Sequence, residues 1–159
     1  MKFAEKDISY YWKIFKIPLL ILLSWSIVGF IISLSSYQTY KSIFSGIVGL
    51  VVSVALYGIT GYLAVADHKA TIKQSAWSGA LLGITAGFIG GIIGILMFNL
   101  VPEFVADTVR DAVAQGAQAE LTKNIMKIST YIGPITGPIF GGLIGALIAA
   151  IGGFISKKT

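Results

Sequence analysis

The sequence predicts an all-α polytopic membrane protein with four transmembrane helices and an amphipathic segment outside the membrane between helices 3 and 4. Of the 159 residues, 55% are hydrophobic and only 12% are charged, about half the charged fraction of a typical soluble domain. The charges form short clusters separated by four long charge-free stretches. Each stretch exceeds the roughly 20 helical residues that cross a hydrocarbon core. These observations exclude a disordered or disulfide-rich chain.

The four spans are expected to form a single membrane domain over residues 1–159. Each span is placed inside a charge-free stretch and is closed by polar residues that can lie among lipid headgroups. The predicted helical cores are residues 17–34, 43–66, 76–100 and 132–155.

Residues 1–16 are predicted to form an interfacial N-terminal helix. Aromatic and aliphatic side chains there are mixed with lysines that can extend to the headgroups. A basic N-terminus before an apolar run also resembles a signal peptide. The run is longer than a usual signal sequence, and residues 33–38 contain no Ala-x-Ala type of cleavage site. We therefore expect this run to be the first span.

Residues 101–131 are predicted to form an amphipathic segment outside the membrane. Pro102 suits the first turn of a helix. The apolar row that starts at Val105 repeats every four residues, so it drifts around a helix with 3.6 residues per turn. Two interpretations follow. We favour two short helices on the outer face, separated near Gly116; the alternative is one helix that wraps around a partner.

The distribution of lysine and arginine predicts that both termini are cytoplasmic. Eight of these residues fall on the side of the termini and four on the other side, and basic residues are enriched in cytoplasmic loops. The net charge of +5 then fits the inner leaflet of a cell membrane better than a nucleic acid. The expected partner is the lipid bilayer, with a homo-oligomer or larger membrane complex as an open alternative.

Glycine recurs at every fourth position in the third and fourth predicted spans. Rows without side chains allow helices in lipid to approach until their backbones touch. These residues are therefore the predicted helix-packing positions, either within one chain or between subunits. The third-span ridge comprises Gly79, Gly83, Gly87 and Gly91, and the fourth-span ridge comprises Gly133, Gly137, Gly141 and Gly145.

A Gly-Pro step occurs twice in the fourth span, at Pro134 and at Pro138. Proline removes a backbone donor and clashes with the preceding turn of a helix. The spacing therefore predicts a kink or a non-helical turn between Ile132 and Ile139, which would act as a hinge. Broken helices in transporters expose carbonyl groups to ions or polar solutes, whereas the simpler interpretation is a proline in the first turn of the span.

The residue inventory predicts no catalytic site, metal site or cofactor. The chain has no cysteine and one histidine, His68, in a predicted cytoplasmic turn. No Asp, Glu, Lys, Arg or His falls inside a predicted span core, although coupled transporters commonly place ionisable groups there. Polar groups within the spans are mainly hydroxyls, which usually bond to their own helix or to a neighbouring one.

The segments YGITGYLAVADHK and SGALLGITAGFIGGIIGIL resemble the glycine-rich helical hairpins of small four-span prokaryotic membrane proteins of unknown function. This resemblance covers about a third of the chain and implies the architecture and a prokaryotic origin. It transfers no functional residue.

Two functional hypotheses follow from the sequence. The first is a non-enzymatic structural or accessory membrane protein that is assembled through its glycine ridges. The second is an oligomeric passive channel or facilitator, in which hydroxyls and the carbonyls freed at the Gly-Pro steps line a pore. An enzyme is not expected.

Overall fold

The computed structural model describes residues 2–158. Within this range a short β-hairpin precedes six α-helices. The strands are β1 (Lys2–Phe3) and β2 (Lys6–Asp7), and the helices are α1 (Ile8–Ser35), α2 (Tyr37–Ile43), α3 (Gly46–Ala66), α4 (Ile72–Leu100), α5 (Pro102–Ala114) and α6 (Ala119–Lys158).

Four helices, α1, α3, α4 and α6, are long and apolar enough to cross a membrane. The predicted all-α polytopic fold is confirmed, and the chain is a multi-pass membrane protein. Antiparallel α4 and α6 form the centre of the bundle, α3 packs against both, and α1 packs against α3 and α4. A buried cluster on α1, α3 and α4 fills the space between these three helices: Tyr11, Phe15, Leu19, Leu22, Leu56, Tyr57 and Leu82.

The prediction that residues 1–16 form a helix is wrong for residues 2–7. Residues 2–7 form the antiparallel hairpin β1–β2, and the following residues are the first part of α1, where Tyr11 is fully buried. The Tyr11 hydroxyl donates to the carbonyl oxygen of Phe3 at 2.6 Å. The Gln74 amide donates to the carbonyl oxygen of Ala4 at 3.1 Å. These bonds dock the hairpin on the ends of α1 and α4. Phe3, Tyr11 and Phe15 pack inward, whereas Trp12 stays exposed.

The second predicted span, residues 43–66, begins three residues too early. Helix α2 ends at Ile43, and α3 begins at Gly46. Gly46 has a φ of 63°, a left-handed conformation that glycine adopts without steric cost. This turn separates the two helices. It places the aromatic residues of α2 at the end of the bundle opposite the two termini, which we call the outer end.

The outer segment contains the predicted break, but only one of its two predicted helices is separate. Helix α5 ends before Gly116, which has a φ of 90°. The next helix, α6, runs without interruption from Ala119 through the fourth span to Lys158. Its 40 residues correspond to about 60 Å, twice the roughly 30 Å hydrocarbon core. The outer part of α6 therefore projects beyond the membrane.

Candidate functional site

The two glycine ridges lie opposite each other along the interface between α4 and α6. Each step of four residues along α4 is matched by a step of four in the reverse direction along α6. This constant register is expected for antiparallel helices whose ridges have the same spacing. The pairs are Gly79 with Gly145, Gly83 with Gly141, Gly87 with Gly137, and Gly91 with Gly133.

The interface has no room for side chains at seven of these eight positions. A Cβ atom built there would lie less than 3.0 Å from a backbone atom of the opposite helix. Gly133 is the exception, because its Cβ would lie 3.5 Å from the Gly91 Cα, an ordinary contact. The two ridges therefore fill each other within one chain, so these eight glycines are not available as a packing face for a second subunit.

Helix α3 joins this interface through glycines that were not among the predicted packing positions. A Cβ atom on Gly61 would collide with the backbone of Ala149, and one on Gly152 would collide with the backbone of Gly58. A Cβ atom on Gly58 would only touch the Ile148 side chain at 3.9 Å. Gly58 and Gly61 are three residues apart, as are Ala149 and Gly152. This matched spacing could have predicted the contact between α3 and α6, but the prediction considered only the four-residue repeat.

Ser75 links the three helices at one point. It is fully buried, and its hydroxyl lies 2.6 Å from the carbonyl oxygen of Ala149 on α6 and 3.2 Å from that of Gly61 on α3. Gly153 provides the space for it, because a Cβ atom there would lie 2.5 Å from the Ser75 Oγ. The predicted third-span core begins at residue 76, so the prediction did not include Ser75.

The non-helical turn predicted at Pro134 and Pro138 is wrong, because α6 is α-helical throughout the interval from Ile132 to Ile139. The kink that would act as a hinge stays a prediction. A residue before proline normally avoids the helical region because its Cβ meets the proline ring. Glycine precedes both prolines and has no Cβ, which relieves this clash. The same glycines face α4, so the Gly-Pro steps combine close packing with a continuous helix.

An outer cleft of about 290 Å³ separates α1 from the outer half of α4. Gly90 and Gly94 line it on the α4 side, and a Cβ atom on either would meet nothing within 4 Å. The Trp25 ring packs on Phe44 with centroids 4.6 Å apart, and the buried Trp25 indole N–H has no hydrogen-bond partner among the described residues. The aromatic residues of the lining are Trp25, Phe30, Tyr40, Phe44 and Phe104.

A smaller cavity of about 170 Å³ lies near the middle of α1, α3 and α4 and shares Ser26 with the outer cleft. Its lining contains the side chains of Ser26, Ser53 and Tyr57. The Ser53 hydroxyl donates to the carbonyl oxygen of Gly49 at 2.8 Å, so its oxygen can still accept a hydrogen bond. The cavity therefore places hydroxyl groups at mid-depth in the bundle.

An ion-pair cluster connects α2 with α5 at the outer end of the cleft. The Lys41 ammonium pairs with the buried carboxylate of Asp107 and lies 3.5 Å from Asp111, while Arg110 lies 3.4 Å from Asp107. The hydrogen bond with Asp107 raises the pKa of Lys41, and the same bond lowers the pKa of Asp107. Both groups are therefore held in their charged forms. The ion pairs of the cluster connect α5 to α2.

His68 and Asn99 lie away from these two cavities. His68 is exposed in the turn between α3 and α4, and its carbonyl oxygen accepts a hydrogen bond from the Tyr10 hydroxyl at 3.3 Å. The Asn99 amide donates to the Tyr131 hydroxyl at 3.2 Å and so connects α4 with α6. Within residues 2–158, no group of three or more His, Cys, Asp or Glu residues is arranged to hold a metal ion.

Comparison of the chain with protein-family models, curated proteins and solved structures gave no match. No residue role can therefore be transferred from a relative. The function has to be inferred from the packing, cavities and exposed surfaces of the chain itself.

Proposed function

We propose that the chain is a non-enzymatic structural or accessory integral membrane protein. The pairing of the two glycine ridges is the observation that carries this proposal. Contacts between helix backbones over four successive pairs suit a rigid bundle, because close van der Waals packing is a main source of helix association in lipid. A bundle of this kind can hold its outer helices and its termini at fixed positions for a partner.

We also propose that the chain lies in a prokaryotic cell membrane with both termini in the cytoplasm. Four of the twelve basic residues lie on the proposed outer side: Lys41, Arg110, Lys123 and Lys127. Four acidic residues of α5 and α6 balance them. The other eight lie on the side of the termini, where an anionic cytoplasmic leaflet attracts them.

Single cysteines are expected to report this orientation, since the chain has none of its own. His68 and Gln118 are both exposed and lie at opposite ends of the bundle. In intact cells an impermeant thiol reagent should label Gln118→Cys and leave His68→Cys unlabelled until the membrane is permeabilised. The reverse pattern would place the termini outside.

A passive facilitator is the second candidate, and the mid-depth cavity is the observation that favours it. Its hydroxyls could exchange hydrogen bonds with water or with a small neutral solute. The path would lie between α1, α3 and α4 of a single chain, because the Gly-Pro steps are packed against α4. The buried cluster around Tyr11, Leu19 and Leu82 would have to move to open it.

Flux measurements separate the two candidates. For a structural protein, liposomes with and without the chain should have equal permeability to water, glycerol and monovalent ions, under conditions where a control channel conducts. Substitution of both prolines, Pro134→Ala with Pro138→Ala, should leave this result unchanged and preserve or raise stability, because alanine restores two backbone donors. A saturable flux that Ser26→Leu abolishes would instead support the facilitator and contradict the structural proposal.

A further inference from the structure

A row of large apolar side chains remains exposed along the outer half of α6, on the side away from the chain's own α4 and α5. Met126, on the opposite side of the helix, is buried. The members of the row are 44–68% exposed. We call this row the α6 stripe, and it comprises Leu121, Ile125, Ile128, Ile132, Ile135 and Ile139.

The α6 stripe has the spacing of a coiled-coil seam. Its members are separated alternately by four and by three residues, which is the 3.5-residue repeat of the a and d positions in a heptad. In this register the a positions are Ile125, Ile132 and Ile139. The d positions are Leu121, Ile128 and Ile135. Helices with this repeat supercoil around each other and bury the seam.

Lipid can cover only part of the stripe. The hydrocarbon core ends near Ile132, where the fourth predicted span begins, and Leu121 lies eleven residues earlier on the same continuous helix. Eleven helical residues extend about 16 Å, whereas a headgroup layer is only about 5–8 Å thick. Leu121 and Ile125 therefore project into water while they are more than half exposed, and a protein partner is needed to cover them.

A second copy of the chain fits this surface. All copies insert in one direction, so their α6 helices would run parallel and bring identical positions together. The positions that flank the seam, e and g, are all neutral: Thr122, Asn124, Ser129, Tyr131, Thr136 and Pro138. Self-association therefore brings no like charges together at these positions. Lys123 and Lys127 occupy f and c positions, which point away from the seam.

The residue types in the seam favour three strands. All three a positions and two of the three d positions are isoleucine, and isoleucine at both kinds of position shifts parallel coiled coils from dimers toward trimers or tetramers. We propose that three copies of the chain associate through their α6 stripes. They form a parallel coiled coil that begins beyond the outer membrane surface and continues into the outer leaflet. The glycine ridges are filled within each chain, so they do not compete for this contact.

Cysteine cross-linking tests the surface, because any disulfide in single-cysteine variants must join two copies. After mild oxidation in membranes, Ile125→Cys and Ile128→Cys should give a covalent dimer in high yield, since two of the three thiols at one level of a trimer can pair. Lys123→Cys and Lys127→Cys are matched controls on the same turns and should stay mainly monomeric. Equal cross-linking at all four positions would overturn the α6 stripe as the interface.

Native mass spectrometry from mild detergent tests the stoichiometry. The wild-type protein should have three times the chain mass of 16.9 kDa. The double variant Ile125→Asn with Ile128→Asn should dissociate into monomers that keep the thermal stability of the bundle, because both side chains are exposed within one chain. Val113→Asn, at an exposed valine on α5, is the control that should remain trimeric. A wild-type monomer or dimer, or a double variant that stays trimeric, would overturn the proposal.

Discussion

Replacing Gly83 with alanine is expected to destabilise the bundle by about 3 kcal/mol, at the upper end of the usual cost of overpacking. The new Cβ atom would lie less than 3.0 Å from backbone atoms of Gly141. A backbone cannot rotate away as a side chain can, so α4 and α6 would have to separate. Separation would also weaken the neighbouring glycine pairs of the same register. Reversible unfolding in mixtures of mild detergent and dodecyl sulfate would measure the free energy change.

Gly90 provides a matched control for Gly83. Gly90 lies on the same helix and faces the outer cleft, where a Cβ atom meets nothing within 4 Å. Gly90→Ala should be neutral or should stabilise the bundle by up to about 1 kcal/mol, because alanine favours helix more than glycine does. Equal losses of stability in Gly83→Ala and Gly90→Ala would mean that the ridges do not set the distance between α4 and α6.

The spans and the ridges were predictable because each depends on a single repeated property. A charged side chain is costly in hydrocarbon, so the spacing of charges along the chain locates the four membrane helices. A close backbone contact needs glycine at every turn, so the four-residue repeat marks the interface. The sequence left open whether the ridges meet in one chain, because the same face would also suit a contact between subunits.

The parts that the sequence did not predict depend on contacts between distant residues or on two rules acting together. The Tyr11 hydroxyl and the Gln74 amide hold the hairpin by donating hydrogen bonds to its carbonyl oxygens. Neither bond can be predicted from the hairpin's own residues. The prolines were expected to interrupt α6, but the preceding glycines have no Cβ to meet the proline rings, which removes one of the obstacles to a continuous helix. The break between α2 and α3 depends on one left-handed residue, Gly46, among several glycines that remain helical.

Replacing Ser75 with alanine is expected to cost about 1–2 kcal/mol, the upper range for hydrogen bonds between membrane helices. The substitution removes a hydroxyl that contacts carbonyl oxygens of both α3 and α6. It also leaves a small void at a fully buried position, which adds to the loss. Unfolding in the same detergent mixtures gives the free energy. Hydrogen exchange should show faster opening of α3 around Gly61, because α3 loses its polar link to the central pair.

Ser78→Ala is the control that distinguishes the loss of the Ser75 hydrogen bonds from the general effect of truncating a buried serine. Ser78 is as buried as Ser75 and lies one turn later on α4, but its hydroxyl donates to the carbonyl oxygen of Gln74 on its own helix at 3.1 Å. Such a bond contributes little to helix association, so Ser78→Ala should change stability by less than about 0.5 kcal/mol. If both variants lost the same stability, the void would account for the cost. If only Ser75→Ala did so, α3 would depend on this hydroxyl to stay attached to the glycine-packed pair.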